Sequence, residues 1–168
     1  MNPIHRFGVK LGILNHAAGV RLAYHVRRRN LASIYDSAST WHEGWYFELR
    51  LKEETSRSKR FEQPFAIIVM KVSGLGGALS PRRSEFNNRL ASIASSKLRS
   101  IDIPAVIGDG QYAVCLPATG HEGAKIVGER LAEFLADYEP LIGFAAYPTE
   151  GQTGEELLRA AEERTRSL

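Results

Sequence analysis

Between Pro64 and Met70 the chain runs Pro-Phe-Ala-Ile-Ile-Val-Met without a polar residue. A strand with one wet face alternates apolar and polar side chains, so an unbroken run rich in β-branched residues fits a strand buried on both faces. Such a strand needs helices above and below its sheet, which confines the chain to a layered α and β architecture. We therefore expect Pro64 to Val72 in the interior of a sheet, not at its edge.

The flanking segments supply the layers. Glu43 to Arg60, rich in Glu, Lys and Arg in its second half, reads as an amphipathic helix. After the strand comes a Gly-rich stretch, Ser73 to Leu79, closed by Pro81; Phe86, Leu90, Ile93, Ala94 and Leu98 then recur at helical spacing. Ile103 to Ile107 and Gln111 to Leu116 read as strands joined by a turn at Gly108-Asp109-Gly110, residues that accept positive φ. A helix from about His121 to Ala136, a strand from Leu141 to Tyr147 and a last helix from Gly154 onward complete the order. The fold class is α+β, an α/β sandwich with a mixed central sheet flanked by helices.

At 168 residues and 43% hydrophobic content the chain can bury one sizeable core. Residues 1–35, where apolar and basic positions mix irregularly, read as a connecting helix leading into a domain over 36–168. Phe7 to Val26 is interrupted by Lys10, His16, Arg21 and His25, too polar for a spanning helix, so a cytoplasmic location is the default expectation. The single thiol, Cys115, lies in an apolar run and fits a buried strand residue in a reducing compartment.

The formal charge is +3, with basic clusters at Arg21 and Arg27 to Arg29, at Arg57, Lys59 and Arg60, and at Arg82 and Arg83. They are not interleaved with aromatics and carry no nucleic-acid-binding signature, so solvated helix faces are the expectation and no nucleic-acid polymer is a partner. The five histidines, His5, His16, His25, His42 and His121, show no pairing at ligand spacing, so no metal site is expected. Gly74-Leu75-Gly76-Gly77 lacks the Lys-Ser/Thr of a phosphate cradle. Trp41 and Trp45 read as packing for the leading helix, and Asp36 as a helix cap.

Four blocks taken together resemble the GGDEF family, the diguanylate cyclase fold. Asp36 to Phe47 (DSASTWHEGWYF) is similar to DPLTGLxNRRxF, Pro64 to Leu75 (PFAIIVMKVSGL) to PxALLLLDIDxF, Gly108 to Pro117 (GDGQYAVCLP) to GGDEFxxLLP, and Ile142 to Leu158 (IGFAAYPTEGQTGEELL) to IGxAxYPxDGxTxxELL. The resemblance covers Asp36 to about Glu163 and implies a nucleotidyl cyclase-like fold. The family's chemistry needs two carboxylates to hold divalent cations against a triphosphate. The resemblance puts Lys71 at the first of these positions and Gln111 at the second, within a degenerate Gly108-Asp109-Gly110-Gln111-Tyr112 motif. Ser73 replaces a second strand Asp, Ser84 an Asp of the guanine-reading loop, and the loop before it is a few residues short. The family's lysine near the last helix is also absent. An ammonium at Lys71 would repel Mg²⁺, so the resemblance implies no catalytic residues, no metal, no cofactor and no cyclase activity.

One constellation of the family is retained. Arg99-Ser100-Ile101-Asp102 stands in the register of the RxxD inhibitory site before the turn, and Arg130 falls where a helix arginine completes that site. A guanidinium offers a fork to a guanine edge or phosphate, and a carboxylate accepts from guanine N–H groups. The resemblance thus implies a signal-transducing cyclic di-GMP receptor with Arg99, Asp102 and Arg130 as ligand residues. Its implied partners are cyclic di-GMP, a ligand-bridged second copy and a further protein. A ligand-free interaction or dimerisation module remains the alternative, and an active cyclase the third reading.

Overall fold

The structure, a computed structural model, describes residues 34–166. The expected connecting helix over residues 1–35, with the basic cluster Arg21 and Arg27 to Arg29 and with His5, His16 and His25, lies outside the described residues except at its end.

The elements follow the order β1 (His42–Glu43), α1 (Gly44–Phe61), β2 (Phe65–Lys71), α2 (Pro81–Ser96), β3 (Ile103–Gly108), β4 (Gln111–Pro117), α3 (His121–Phe134), β5 (Leu141–Tyr147) and α4 (Gly154–Glu163), with a 3₁₀ turn at Ala136–Tyr138. They build one five-stranded mixed sheet in the order β1-β3-β4-β2-β5. Only β1 and β3 run parallel. β2 lies between β4 and β5 and pairs antiparallel with both, from Phe65 opposite Pro117 and Tyr147 to Lys71 opposite Gln111 and Leu141. It is the interior strand that its apolar run demands.

The pleat sends alternate β2 residues into two separate cores. Ala66, Ile68 and Met70 meet Phe86, Leu90 and Ile93 of α2 and Ala124 and Leu131 of α3. Phe65, Ile67 and Val69 meet Phe47 and Leu51 of α1 and Leu157 and Ala161 of α4. Two helices therefore cover each face, and the continuous apolar run is the sequence trace of that sandwich. Cys115 is fully buried in the second core, and burial pushes its thiol far above the ordinary range.

Two close approaches fix where the ends of the sheet lie. Gly110 has φ +64°, and a Cβ there would stand 2.5 Å from the Val72 carbonyl oxygen. With the Val72 N–H donating to the Gly110 oxygen at 2.9 Å, the β3–β4 turn is laid against the end of β2. At the outer strand, a Cβ on Gly143 would stand 2.0 Å from the Ala161 oxygen and 2.7 Å from the Thr165 nitrogen. Glycine there lets the end of α4 sit directly on β5.

Several sequence expectations need correction. The sheet gains a two-residue strand, β1, too short to leave a periodic signal. Trp41 belongs to the domain's own core: it is fully buried between α2 and α3, donating Nε1–H to the Leu90 oxygen at 2.8 Å and meeting Tyr112 edge-on. Asp36 caps no helix, because α1 begins at Gly44; its Oδ2 accepts from the Ala38 N–H at 3.0 Å within a turn. The final helix stops at Glu163, after which Arg166 pairs with Ile142 at the β5 edge.

Candidate ligand-binding site

At one end of the sheet, the two residues between Ser96 and Arg99 carry the chain from the end of α2 toward β3, and Arg99 and Asp102 meet there. The Asp102 side chain is almost fully buried, while that of Arg99 is half exposed. The Arg99 backbone N–H donates to Asp102 Oδ2 at 2.8 Å, and its Nη2 and Nε donate to Oδ1 at 2.9 and 3.2 Å. Nη2 also reaches Thr119 Oγ1 at 2.8 Å and the Pro117 oxygen at 3.2 Å. Asp102 is thus spent on Arg99: it cannot face a ligand without releasing the arginine, and in this arrangement it positions the guanidinium. Nη1 of Arg99 has no protein partner among the described residues. Arg130 lies exposed on α3 and forms no hydrogen bond or ion pair with either residue. The structure therefore joins two of the three residues and leaves the third separate.

At the opposite end stand Lys71 and the turn from Gly108 to Tyr112. Lys71 and Gln111 are direct cross-strand neighbours. The Lys71 ammonium lies 3.0 Å from Glu162 Oε1 on α4, at ion-pair distance without hydrogen-bond geometry. Glu162 is mostly buried there, so the two charges neutralise each other beneath the sheet end. Gly108 pairs with Gln111, so Asp109 and Gly110 form the tip of the turn. Arg83 ties that tip down: Nη1 contacts Asp109 Oδ1 at 2.9 Å, while Nε and Nη2 donate to the Gly76 oxygen at 2.9 and 2.6 Å. Below it, burial pushes the Tyr112 hydroxyl up to about 12. Of the basic residues expected on solvated faces, Arg83 is instead drawn in to close the Gly-rich loop over the turn, while Arg82 and Arg57 stay exposed on their helices, the one stacking on Tyr138 and the other forking onto buried Glu54.

Sequence reasoning missed a third cluster entirely. Glu150 accepts from the Ala146 N–H at 2.8 Å, meets His121 Nδ1 at 2.8 Å and pairs with Arg164. Burial tends to raise its carboxyl, but the bonds from His121, Ala146 and Arg164 outweigh it, and the group titrates below its ordinary 4.5. A depressed carboxyl adds stability above its unfolded pKa and loses it as pH falls through the folded value. The stability difference between wild type and Glu150→Gln should therefore be level above about pH 4.5 and shrink as the pH falls below it, as urea unfolding at stepped pH can measure. Among the described residues no three His, Cys, Asp or Glu side chains gather as a metal-binding set, and no helix is long and apolar enough to cross a membrane.

No family profile and no curated protein matches the sequence. Solved structures do match. A sensory box/GGDEF family protein from Caulobacter crescentus superposes with a TM-score of 0.66 at 20% identity, over 79% of this chain and 96% of that one. The chain has the GGDEF-domain fold. The diguanylate cyclase SiaD of Pseudomonas aeruginosa, solved with its activator SiaC, gives 0.66 at 23% identity over 79% of this chain, which spans 56% of SiaD. The GGDEF domain of DgcB from Caulobacter crescentus, solved in complex with c-di-GMP, gives 0.63 at 14% identity over 82% and 86% of the two chains. Within this GGDEF fold, the Arg99–Asp102 pair and the Lys71–Gln111 pair lie at opposite ends of the sheet.

Proposed function

We propose that this GGDEF-fold protein is a cyclic di-GMP receptor without cyclase activity, and that Arg99, held by Asp102, is its principal ligand contact. The observation that carries this reading is the buried Asp102 carboxylate fixing a half-exposed guanidinium whose Nη1 has no hydrogen-bond partner among the described residues. A guanidinium fixed in this way loses little freedom on binding and presents a fork to guanine or phosphate. Arg130, exposed on α3 and without a hydrogen bond or ion pair among the described residues, supplies a second fork from the same molecule or from a second copy across a ligand-bridged dimer. Occupancy would then alter association with that copy or with a protein partner.

One observation favours the ligand-free scaffold instead: Asp102, Thr119 and Pro117 already engage two of the three guanidinium nitrogens. Titration with cyclic di-GMP separates the two readings.

Charge argues against the cyclase reading. Divalent cations are held by hard oxygen donors, and at the positions that the family resemblance assigns to them Lys71 brings an ammonium and Gln111 a neutral amide. The protein should form no cyclic di-GMP from GTP with Mg²⁺ or Mn²⁺; product above a buffer control would overturn this. Lys71→Asp should not restore turnover. It should also lower stability by about 1–3 kcal/mol in urea unfolding, because the mostly buried Glu162 then loses its counter-charge and faces a second carboxylate.

A further inference from the structure

We propose that the outer edge of β5 carries a separate anion site that takes the phosphoryl group of a small phosphate monoester. A cavity of about 260 Å³ opens there between His121 at the start of α3, Ile142 and Phe144 of β5, and Arg164 and Arg166 beyond α4. β3, with the Arg99–Asp102 pair before it, is three strands away in the sheet.

The charge of this cavity is unbalanced. Glu150 is its one acidic residue, and both carboxylate oxygens are taken by His121, Arg164 and the Ala146 N–H. Among the described residues Arg164 uses only Nη1, on Glu150 and on the Phe144 oxygen at 3.2 Å, which leaves Nε and Nη2 without a partner there. Arg166 is held by its backbone, with hydrogen bonds of 2.8 and 3.1 Å to Ile142, while its side chain makes no hydrogen bond or ion pair among the described residues. Two guanidiniums beside an imidazole thus border one neutralised acid. Planar forks of this kind suit the several oxygens of a phosphoryl dianion better than a single carboxylate. Phe144, with the His121 ring 5.1 Å away, and Ile142 add an apolar wall, and the volume exceeds what a phosphate ion fills. That wall is the place for the organic part of an ester. Gly143 is what permits the site, because any Cβ there would push the Arg164 to Arg166 segment off the strand.

The test is calorimetric titration of the full chain with ribose 5-phosphate, inorganic phosphate and ribose. Ribose 5-phosphate should bind saturably and more tightly than inorganic phosphate, and ribose should not bind. Arg166→Ala should weaken ribose 5-phosphate roughly tenfold, the usual loss for one charged hydrogen bond, while leaving the ligand-free melting temperature unchanged. Arg99→Ala should bind it as wild type does, which keeps this site independent of the cyclic di-GMP reading. The proposal is overturned if ribose 5-phosphate gives no saturable heat, if ribose or inorganic phosphate matches it, or if Arg166→Ala binds it unchanged.

Discussion

Arg99→Ala should lower cyclic di-GMP affinity roughly ten- to hundredfold, the range expected when a charged hydrogen-bonding group is lost from a ligand site, about 1.5–3 kcal/mol. It should also lower the unfolding free energy, by about 1–3 kcal/mol, because the almost fully buried Asp102 carboxylate loses the guanidinium donors that compensate its burial. Asp102→Ala should weaken binding comparably by a different route. The carboxylate is buried and accepts the Arg99 backbone N–H, so its loss both frees the guanidinium and leaves that N–H without its acceptor. It should therefore also lower the unfolding free energy, by about 1–3 kcal/mol. Substitutions at Lys71 or Gln111, at the other end of the sheet, should leave binding nearly untouched. An Asp102→Ala protein that loses affinity at unchanged stability would indicate a direct ligand contact in place of a positioning role.

Gly143→Ala should be among the most damaging single-methyl additions available in this chain. The new Cβ would stand 2.0 Å from the Ala161 oxygen and 2.7 Å from the Thr165 nitrogen, both backbone atoms that no side-chain rotation can move. Relief requires α4 to shift away from β5, disturbing Leu157 and Ala161 in the core and the Arg166–Ile142 pairing. Overpacking of this kind costs about 3 kcal/mol or more, and urea unfolding should show it as a lower midpoint. Gly77→Ala serves as the control: nothing lies within 4 Å of its added Cβ and its φ is not positive, so its stability should stay within about 1 kcal/mol of wild type.

The fold was legible wherever a single segment carries its own signal. The run from Pro64 to Met70 announces burial on both faces, and the structure supplies a distinct core for each face. Asp109-Gly110 announces a tight turn, and Phe86, Leu90 and Ile93 announce the buried stripe of α2. What stayed hidden depends on groups that only tertiary structure brings together. The short β1 is a strand only because β3 runs beside it, and no periodicity exists in two residues. Trp41, set among polar and small residues, reads as a linker contact until α2 folds over it.

The site was legible to the same degree. Arg99 and Asp102 are three positions apart, so their pairing follows from local geometry. The fate of Lys71 depends on Glu162, that of Arg83 on Asp109 and Gly76, and that of Glu150 on His121 and Arg164, all from distant parts of the sequence. Long basic side chains that read as solvated are drawn instead onto carbonyls, carboxylates and rings once the layers assemble.

Calorimetric titration of the wild-type protein with cyclic di-GMP tests the central claim most directly. The receptor reading requires saturable heat with a dissociation constant in the micromolar range or tighter, about −8 kcal/mol or more favourable. A titration that shows no heat above dilution, with the protein folded and Arg99 unmodified, would contradict it and leave the GGDEF fold here as a ligand-free scaffold.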